Sequence, residues 1–438
     1  MHQYTPRARW GVGLAAVIGA CVLAAFAVFS STGQAKARAS AAASSTSSCG
    51  PKPGAKAKGS PIKLGAINTK LPGTDFTDIE NMEGAYFACV NANGGVKGHP
   101  IQLIKLTEAI NTSQIQADAK KLISDKVVGI SGTSSITECT INAKTWQQKG
   151  YKVIAAGIAP ECYSTPNYAD VNMGARFSSD GAVQYVLKIP GVNKIVFDQS
   201  NVPGTGYIAG GPNALAQAAN TPIVQLTEDV PISSGAAVAE KEVQQAGPNG
   251  AVVLNFTPPE ALVILQAAQQ LGIENQVKAW ACSTPCNTDF LAQSLGTQWD
   301  GKLFVNAELT PPDTSNSKTM KLYKAILNQY GKNVSGGIGS FSQMGFTAGE
   351  IAVHALNSVK GDYTKKNVNK AIENVKNFNT GMLCQKWTYG PYKEHIANNT
   401  DYTVTPSNGK MIIAPNGGCT PISSVDPLIA SYHKIIGK

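Results

Sequence analysis

Residues 62–106 read IKLGAINTKLPGTDFTDIENMEGAYFACVNANGGVKGHPIQLIKL. The apolar run 62–67 has the length and composition of a buried strand. A loop rich in Pro, Gly, Thr and Asp follows it. Thr77 and Glu80 then make a capping-box pattern that starts a helix. Ile79, Met82, Tyr86, Cys89 and Val90 recur at roughly helical spacing, so one face of that helix is buried. Glycines turn the chain at 91–98, and 101–106 is the next strand. One βα unit is complete here and another has begun. The loop 68–76 therefore lies at the carboxyl end of a strand, where open α/β sheets place their ligands.

The same alternation runs down the chain. Strand-like runs stand at 127–131, 152–156, 194–198, 223–226, 251–255, 278–281 and 303–306. Helical stretches stand between and after them, at 114–124, 140–148, 206–219, 260–271, 317–330, 346–359 and 366–374. Such alternation predicts an α/β protein with parallel, doubly wound sheets covered by helices. No internal repeat interrupts it.

Before this region comes a leader. Arg7 and Arg9 precede the apolar run 10–29, and small residues follow at 35–39. Residues 1–39 therefore read as a signal peptide cleaved after Ala37 or Ala39. The apolar run is also long enough to cross a bilayer, so a retained anchor is the alternative. Cys21 closes a lipoprotein-like box, but the apolar stretch behind it is unlike a lipidated site. Residues 40–60 are Ala/Ser-rich and then Pro/Gly/Lys-rich, the composition of a flexible linker.

Of the +9 net charge, Arg7, Arg9, Lys36 and Arg38 in the leader carry four and Lys52, Lys56 and Lys58 in the linker carry three. That leaves +2 for the 378 residues from Pro61, so no nucleic-acid surface is indicated. These 378 residues exceed the roughly 250–300 at which one core stops growing, so two domains are expected. In an exported chain the eight cysteines beyond the leader predict disulfides. Proximity along the chain pairs Cys282 with Cys286, Cys139 with Cys162 and Cys384 with Cys419. Cys49 and Cys89 are left over. Zinc is the competing reading, but the spacings suit no common site and His is scarce, so no metal and no cofactor is expected.

The NANGGVKG turn at 91–98 and the LPGTDF loop at 71–76 resemble the extracytoplasmic solute-binding proteins of ABC importers, in the leucine/isoleucine/valine-binding branch with the type I periplasmic-binding fold. The resemblance covers about 62–415. It implies two doubly wound lobes joined by a three-stranded hinge, with crossings near 176–179, 306–309 and 377–384. Lobe one is then 61–177 with 308–378, and lobe two 178–307 with 379–438.

Every loop leaving a strand's carboxyl end is a candidate cleft wall: 68–76, 132–137, 157–163, 199–205, 256–259 and 282–287. Their composition is mostly uncharged and hydroxyl-bearing. The run Gly132–Thr137 puts hydroxyls and backbone N–H groups at the mouth of a helix, where they seat an acceptor-rich group or simply cap the helix. The resemblance favours Thr133 and Ser134 as ligand contacts, with Ser135 beside them. Ala156, Gly157 and Ile158 occupy a loop that in the family carries a Thr hydroxyl; here Ile158 stands in that place. The family's Tyr-Gly-x-Gly turn is replaced by Pro203-Gly204-Thr205-Gly206, followed by Tyr207. The loop in which the family holds a ligand ammonium with an acid contains Ser283 and no acid. A buried ammonium without a carboxylate is costly, so a standard α-amino acid held in the usual way is not expected. Phe76, Ile158, Tyr207 and Phe256 are candidate apolar walls, with Thr257 next to Phe256, although each also suits a plain core role.

Gly204-x-Gly206-x-x-Ala209, with Glu228 beyond, mimics a dinucleotide fingerprint. A five-residue loop, 199–203, separates it from its strand, whereas that motif turns directly off the strand. No Gly-x-Ser-x-Gly elbow occurs, and the five histidines, His2, His99, His354, His395 and His433, assemble no nucleophile and base. No enzymatic activity is expected. The expected function is capture of a small organic solute, branched-chain amino acid-like or an aromatic or aliphatic acid or amide. A monomer would deliver it to an ABC permease outside the cytoplasm, at the cell surface or in the periplasm. A ligand-sensing module for a membrane signalling partner is the alternative.

Overall fold

The computed structural model describes residues 49–437. The predicted signal peptide, its cleavage sites, the Cys21 box and the linker as far as residue 48 lie outside the described residues.

Strand β1 (Ile62–Leu71) turns into the short antiparallel β2 (Thr74–Asp75). Its parallel neighbours are β3 (Ile101–Glu108) on one side and β4 (Gly129–Thr133) on the other. Strands β5 (Val153–Ala155) and β6 (Tyr168–Asp170) extend the sheet from β4. This sheet builds the first lobe. The second lobe's sheet is parallel in the order β8-β7-β9-β10-β11, from β7 (Lys194–Ser200), β8 (Ile223–Glu228), β9 (Gly250–Asn255), β10 (Ala279–Cys282) and β11 (Leu303–Ala307). Antiparallel β12 (Thr400–Ser407) and β13 (Lys410–Ile413) close its far edge, and β14 (Thr420–Pro421) pairs with β12. Every residue of β9 and β10 is buried, as strands covered by helices on both faces require. Fully buried tryptophans anchor both lobes; Trp280 meets Trp299 edge to face at 5.6 Å, and Trp146 meets Tyr151 at 5.2 Å.

The first helix, Thr77–Ala92, lacks the expected capping box. Its N-cap is Phe76, and the Thr77 hydroxyl instead donates to Asp75 Oδ1 at 2.6 Å. Glu80 is drawn away to Asn68, so it does not reach back to the cap. Helices Gly174–Val186 and Gly235–Ala246 lie outside the stretches predicted as helical. Ten of the thirteen residues in Gly174–Val186 are buried, among them Ser178, Ser179 and Asp180, so no polar face marks it. The helix expected from 206 starts at Gly210 because Gly204, at φ +91°, holds a turn before it. The helix expected at 346–359 begins earlier, at Ser340, since its polar first turn is buried.

The chain crosses between the lobes inside helix Gly174–Val186. Phe177 packs in the first lobe, whereas Ala182, Val183 and Val186 pack against Ile195 and Phe197 of the second. It returns between Ala307 and Leu309. Met382, Trp387, Tyr389 and Ala397 lie in the first core, not the second, so the chain reaches the second sheet again only at Thr400. Helix Pro427–Ile436 then packs Ile429 and Tyr432 back against the first lobe. The resemblance assigned all of 379–438 to lobe two; the aromatic residues of 387–389 and 432 find their apolar partners in lobe one.

Four disulfides join Cys49–Cys89, Cys139–Cys162, Cys282–Cys286 and Cys384–Cys419. The two cysteines left over in the sequence thus pair with each other. The end of the expected flexible linker is fastened by that bridge and by backbone bonds, Lys52 N to Asn93 O at 2.9 Å and Ala57 N to Asn91 O at 2.8 Å.

Candidate functional site

Strand order reverses once in each sheet: β3 and β4 flank β1, and β8 and β9 flank β7. The carboxyl ends of strands at such a reversal leave a crevice, because the connections depart to opposite faces. The two crevices face each other. They enclose an inner cavity of about 80 Å³, walled by Phe76, Ser134 and Ile158 from the first lobe and by Ser200, Asn255, Phe256 and Thr284 from the second. An outer cavity of about 310 Å³ adjoins it, walled by Asp75, Asp78, Pro258, Pro259, Glu260, Phe290 and the segment around Ser335–Gly337. Thr74, Thr257 and Phe341 line both, so the two form one cleft.

The position of Ser134 follows from a bulge. Pairing of β4 with β5 slips between Ser131 and Thr133, and Gly132 adopts φ +69° there. A Cβ on Gly132 would sit 2.0 Å from Glu83 Oε2, so only glycine fits. Beyond the bulge the three hydroxyls part. Thr133 donates to Ile67 O at 2.6 Å, stitching β4 to β1. Ser135 accepts from Glu138 N at 3.0 Å and donates to Glu108 at 2.8 Å, so it caps the helix Glu138–Lys149. Ser134 lines the inner cavity.

Behind this loop lie two buried carboxyls, Glu80 and Glu83. Burial pushes Glu83 up to about 8, against a hydrogen bond from Ser131. Burial likewise raises Glu80 to about 7, although Asn68 Nδ2 donates to it at 2.7 Å.

Of the other residues singled out in the sequence, Phe76, Ile158, Phe256 and Thr257 line the cleft. Ala156, Gly157, Tyr207 and Ser283 do not line either cavity. Ala156 is core, and Gly157 is pressed against Asp170 and Cys162, with its N–H donating to Asp170 Oδ1 at 2.8 Å. Ser283 donates to Asn255 Oδ1 at 2.7 Å and so orients a residue that does line the cavity. Tyr207 donates its hydroxyl to the carbonyl of Ile158 across the cleft. Further ties between the lobes are Thr257 Oγ1 to Gly73 O at 2.9 Å, Ser340 N to Asn287 O at 3.0 Å and Asp289 N to Ile338 O at 3.1 Å. The lobes are therefore drawn together around the cleft.

Several lining residues carry no sequence signal. Phe341 and Met344 belong to the first turns of a helix that no strand-end loop introduces. Asn172 and Glu308 sit where the chain passes between lobes, and only the predicted crossing at 306–309 pointed near Glu308. Glu308 is 1% exposed and accepts from Met173 N at 2.6 Å. Burial, reinforced by Asp401, raises its carboxyl to about 8. No Lys, Arg or His lines either cavity. Among the described residues no cluster of three or more His, Cys, Asp or Glu is placed to hold a metal ion. The cleft offers hydroxyls, amides, carboxyls and apolar walls: equipment for binding.

Comparison with known proteins places this architecture. No curated protein matches the sequence. Among solved structures, a fatty acid ABC transporter substrate-binding protein from Thermomonospora curvata superposes with a TM-score of 0.70 at 16% identity, over 86% of this chain and 97% of that one. A branched-chain amino acid ABC transporter protein from Thermus thermophilus with bound valine gives 0.73 at 16% identity, over 85% and 99%. A solute-binding protein of an ABC transporter from R. palustris in complex with 4-hydroxybenzoate gives 0.66 at 15%, over 83% and 97%. At these identities the likeness establishes the type I fold of two α/β lobes. The model of the periplasmic binding protein family matches residues 61–410, and the chain belongs to that family.

Proposed function

We propose that this protein is exported, captures one small organic solute between its two lobes, and delivers it to an ABC permease. The observation that carries this reading is the inner cavity, whose wall is shared by the carboxyl ends of both sheets. A solute held there touches both lobes at once, so it favours the shut form by differential affinity, and a permease recognises the shut shape. Phe76, Ser134, Ile158, Phe256 and Thr257 serve as contacts. Thr133, Ser135, Ala156, Gly157, Tyr207 and Ser283 support the walls from behind. The solute has a substantial apolar part, because Ile79, Ile136, Val202, Ile208 and Met344 complete the inner lining.

The test is a thermal-shift screen of amino acids, aromatic acids, amides, amines and short aliphatic acids, with hits measured by calorimetry. A compound that raises the melting temperature, binds with unit stoichiometry and is recovered unchanged supports the reading. Chemical conversion of the bound compound, or no response to any class, refutes it.

A further inference from the structure

Building on the reading of the cleft as a solute site, we propose that its inner end recognises an N–H-bearing head group, an amine or amide, through Glu308 and Asn172, and discriminates against free carboxylates. The argument rests on unused hydrogen-bonding capacity. Asn172 is 5% exposed; its amide nitrogen donates to Gly157 O at 2.9 Å, while its Oδ1 is buried without a partner. Such an oxygen calls for a donor. Glu308, 1% exposed, engages one carboxyl oxygen with Met173 N, and no Lys, Arg or His lines the cavity beside it. Three hydroxyls of the inner lining have already spent their protons: Ser178 on Ala175 O, Thr205 on Val202 O and Thr284 on Asn306 Oδ1. What remains on those hydroxyls is lone pairs, which again accept.

The outer cavity adds to this polarity. Asp75, Asp78 and Glu260 stand in its wall with no Lys, Arg or His among them. An anion would pass three carboxylates, of which Asp75 alone is paired, with Lys70 at 3.6 Å, and end against a fourth carboxyl, with no Lys, Arg or His in the lining itself. An ammonium or amide N–H meets the unpartnered Asn172 oxygen and the Glu308 carboxyl at the inner end. The apolar body trailing behind such a head lies along Phe341 and, at the mouth, Phe290 and Pro258, where Phe290 is 42% exposed. The chain thus supplies an acid at a lobe crossing, at Glu308, although the loop 282–287 has none.

The test compares carbon-matched probes on the full chain by calorimetry and thermal shift: 3-methylbutylamine, 3-methylbutanamide and 3-methylbutanoate, with the 3-phenylpropyl equivalents for size. The amine or the amide should bind, and the matching carboxylate should bind at least tenfold more weakly. Glu308→Gln keeps an oxygen for Met173 N and should lower amine affinity roughly 10- to 100-fold with little change in melting temperature. The probe comparison uses the unaltered chain, so it stands even if that variant does not fold. Carboxylates that bind as well as amines, or a Glu308→Gln protein with undiminished amine affinity, overturn the head-group assignment. If carboxylates or other compounds of the wider screen bind and no amine or amide does, this inference falls while the solute-binding reading survives. Silence from every class removes both.

Discussion

Tyr207→Phe isolates closure of the lobes from contact with the solute. Tyr207 belongs to the second lobe and lines neither cavity, yet its hydroxyl donates to the Ile158 carbonyl of the first. Its own carbonyl accepts from Arg176 Nη1 at 2.9 Å, and that bond is untouched by the substitution. Removing the hydroxyl deletes one hydrogen bond that exists only when the lobes are shut. In the open form water serves both groups. A net bond of this kind is worth about 0.5–1.5 kcal/mol. The ratio of shut to open protein should therefore fall about 2- to 13-fold. Where the shut form is the minor one without solute, the apparent dissociation constant rises by the same factor. Calorimetry reads the affinity, and a dye pair at the exposed Lys120 and Glu240, one on each lobe, reads the distance distribution. Unchanged affinity and unchanged distances would refute the reasoning. So would a fall in melting temperature with affinity intact, which would make the bond a matter of folding alone.

Three further outcomes are expected. Ser134→Trp should weaken solute binding at least tenfold while leaving melting nearly intact, because an indole fills an inner cavity of about 80 Å³ and props the cleft apart; unchanged affinity would exclude that site. Unfolding free energy should decline as pH rises from about 5 to 8, since Glu83, pushed up to about 8 by burial, keeps a proton in the folded chain that the unfolded chain releases above about 4.5. This contribution is complete at acid pH and is lost on the way to 8, so Glu83→Gln should flatten the slope by up to about 1.4 kcal/mol per pH unit; denaturant titrations at pH 5, 6, 7 and 8 measure it, and an unaltered slope contradicts the assignment. Replacing Cys384 and Cys419 together by Ser opens a loop of 35 residues and should cost about 3–4 kcal/mol; a loss below about 1 kcal/mol in denaturant melts would show that the bridge constrains little.

The fold was largely legible because its signal is local. Runs such as 194–198 and 251–255 are apolar enough to be strands wherever they occur, and their alternation with helices specifies parallel sheets. Helix Gly174–Val186 escaped notice because it is buried nearly all round, and periodicity needs a wet face. The cleft was legible wherever a strand-end loop supplied the wall, as at Ser134, Ile158 and Phe256. It was illegible where residues arrive by long-range packing. Glu308 and Asn172 acquire their meaning only when a third passage of the chain seals them in, and Phe341 comes from a helix on the other side of the molecule's sequence. Thr133, Ser134 and Ser135 looked alike until the bulge at Gly132 turned one of them inward. Tyr207, expected as a wall, is a clasp, because its ring lies in the second lobe while its hydroxyl reaches the first.

The bridge from Cys49 to Cys89 has a mechanical consequence. Cys89 lies twelve residues along the helix that starts at Thr77 beside the cleft, about 18 Å toward the opposite end of the lobe at 1.5 Å per residue. Beside it, Lys52 and Gly54 are held to Asn93. Any pull transmitted through the preceding polypeptide is thus borne at the floor of one lobe, remote from the mouth. Load entering there falls on one lobe and bypasses the cleft.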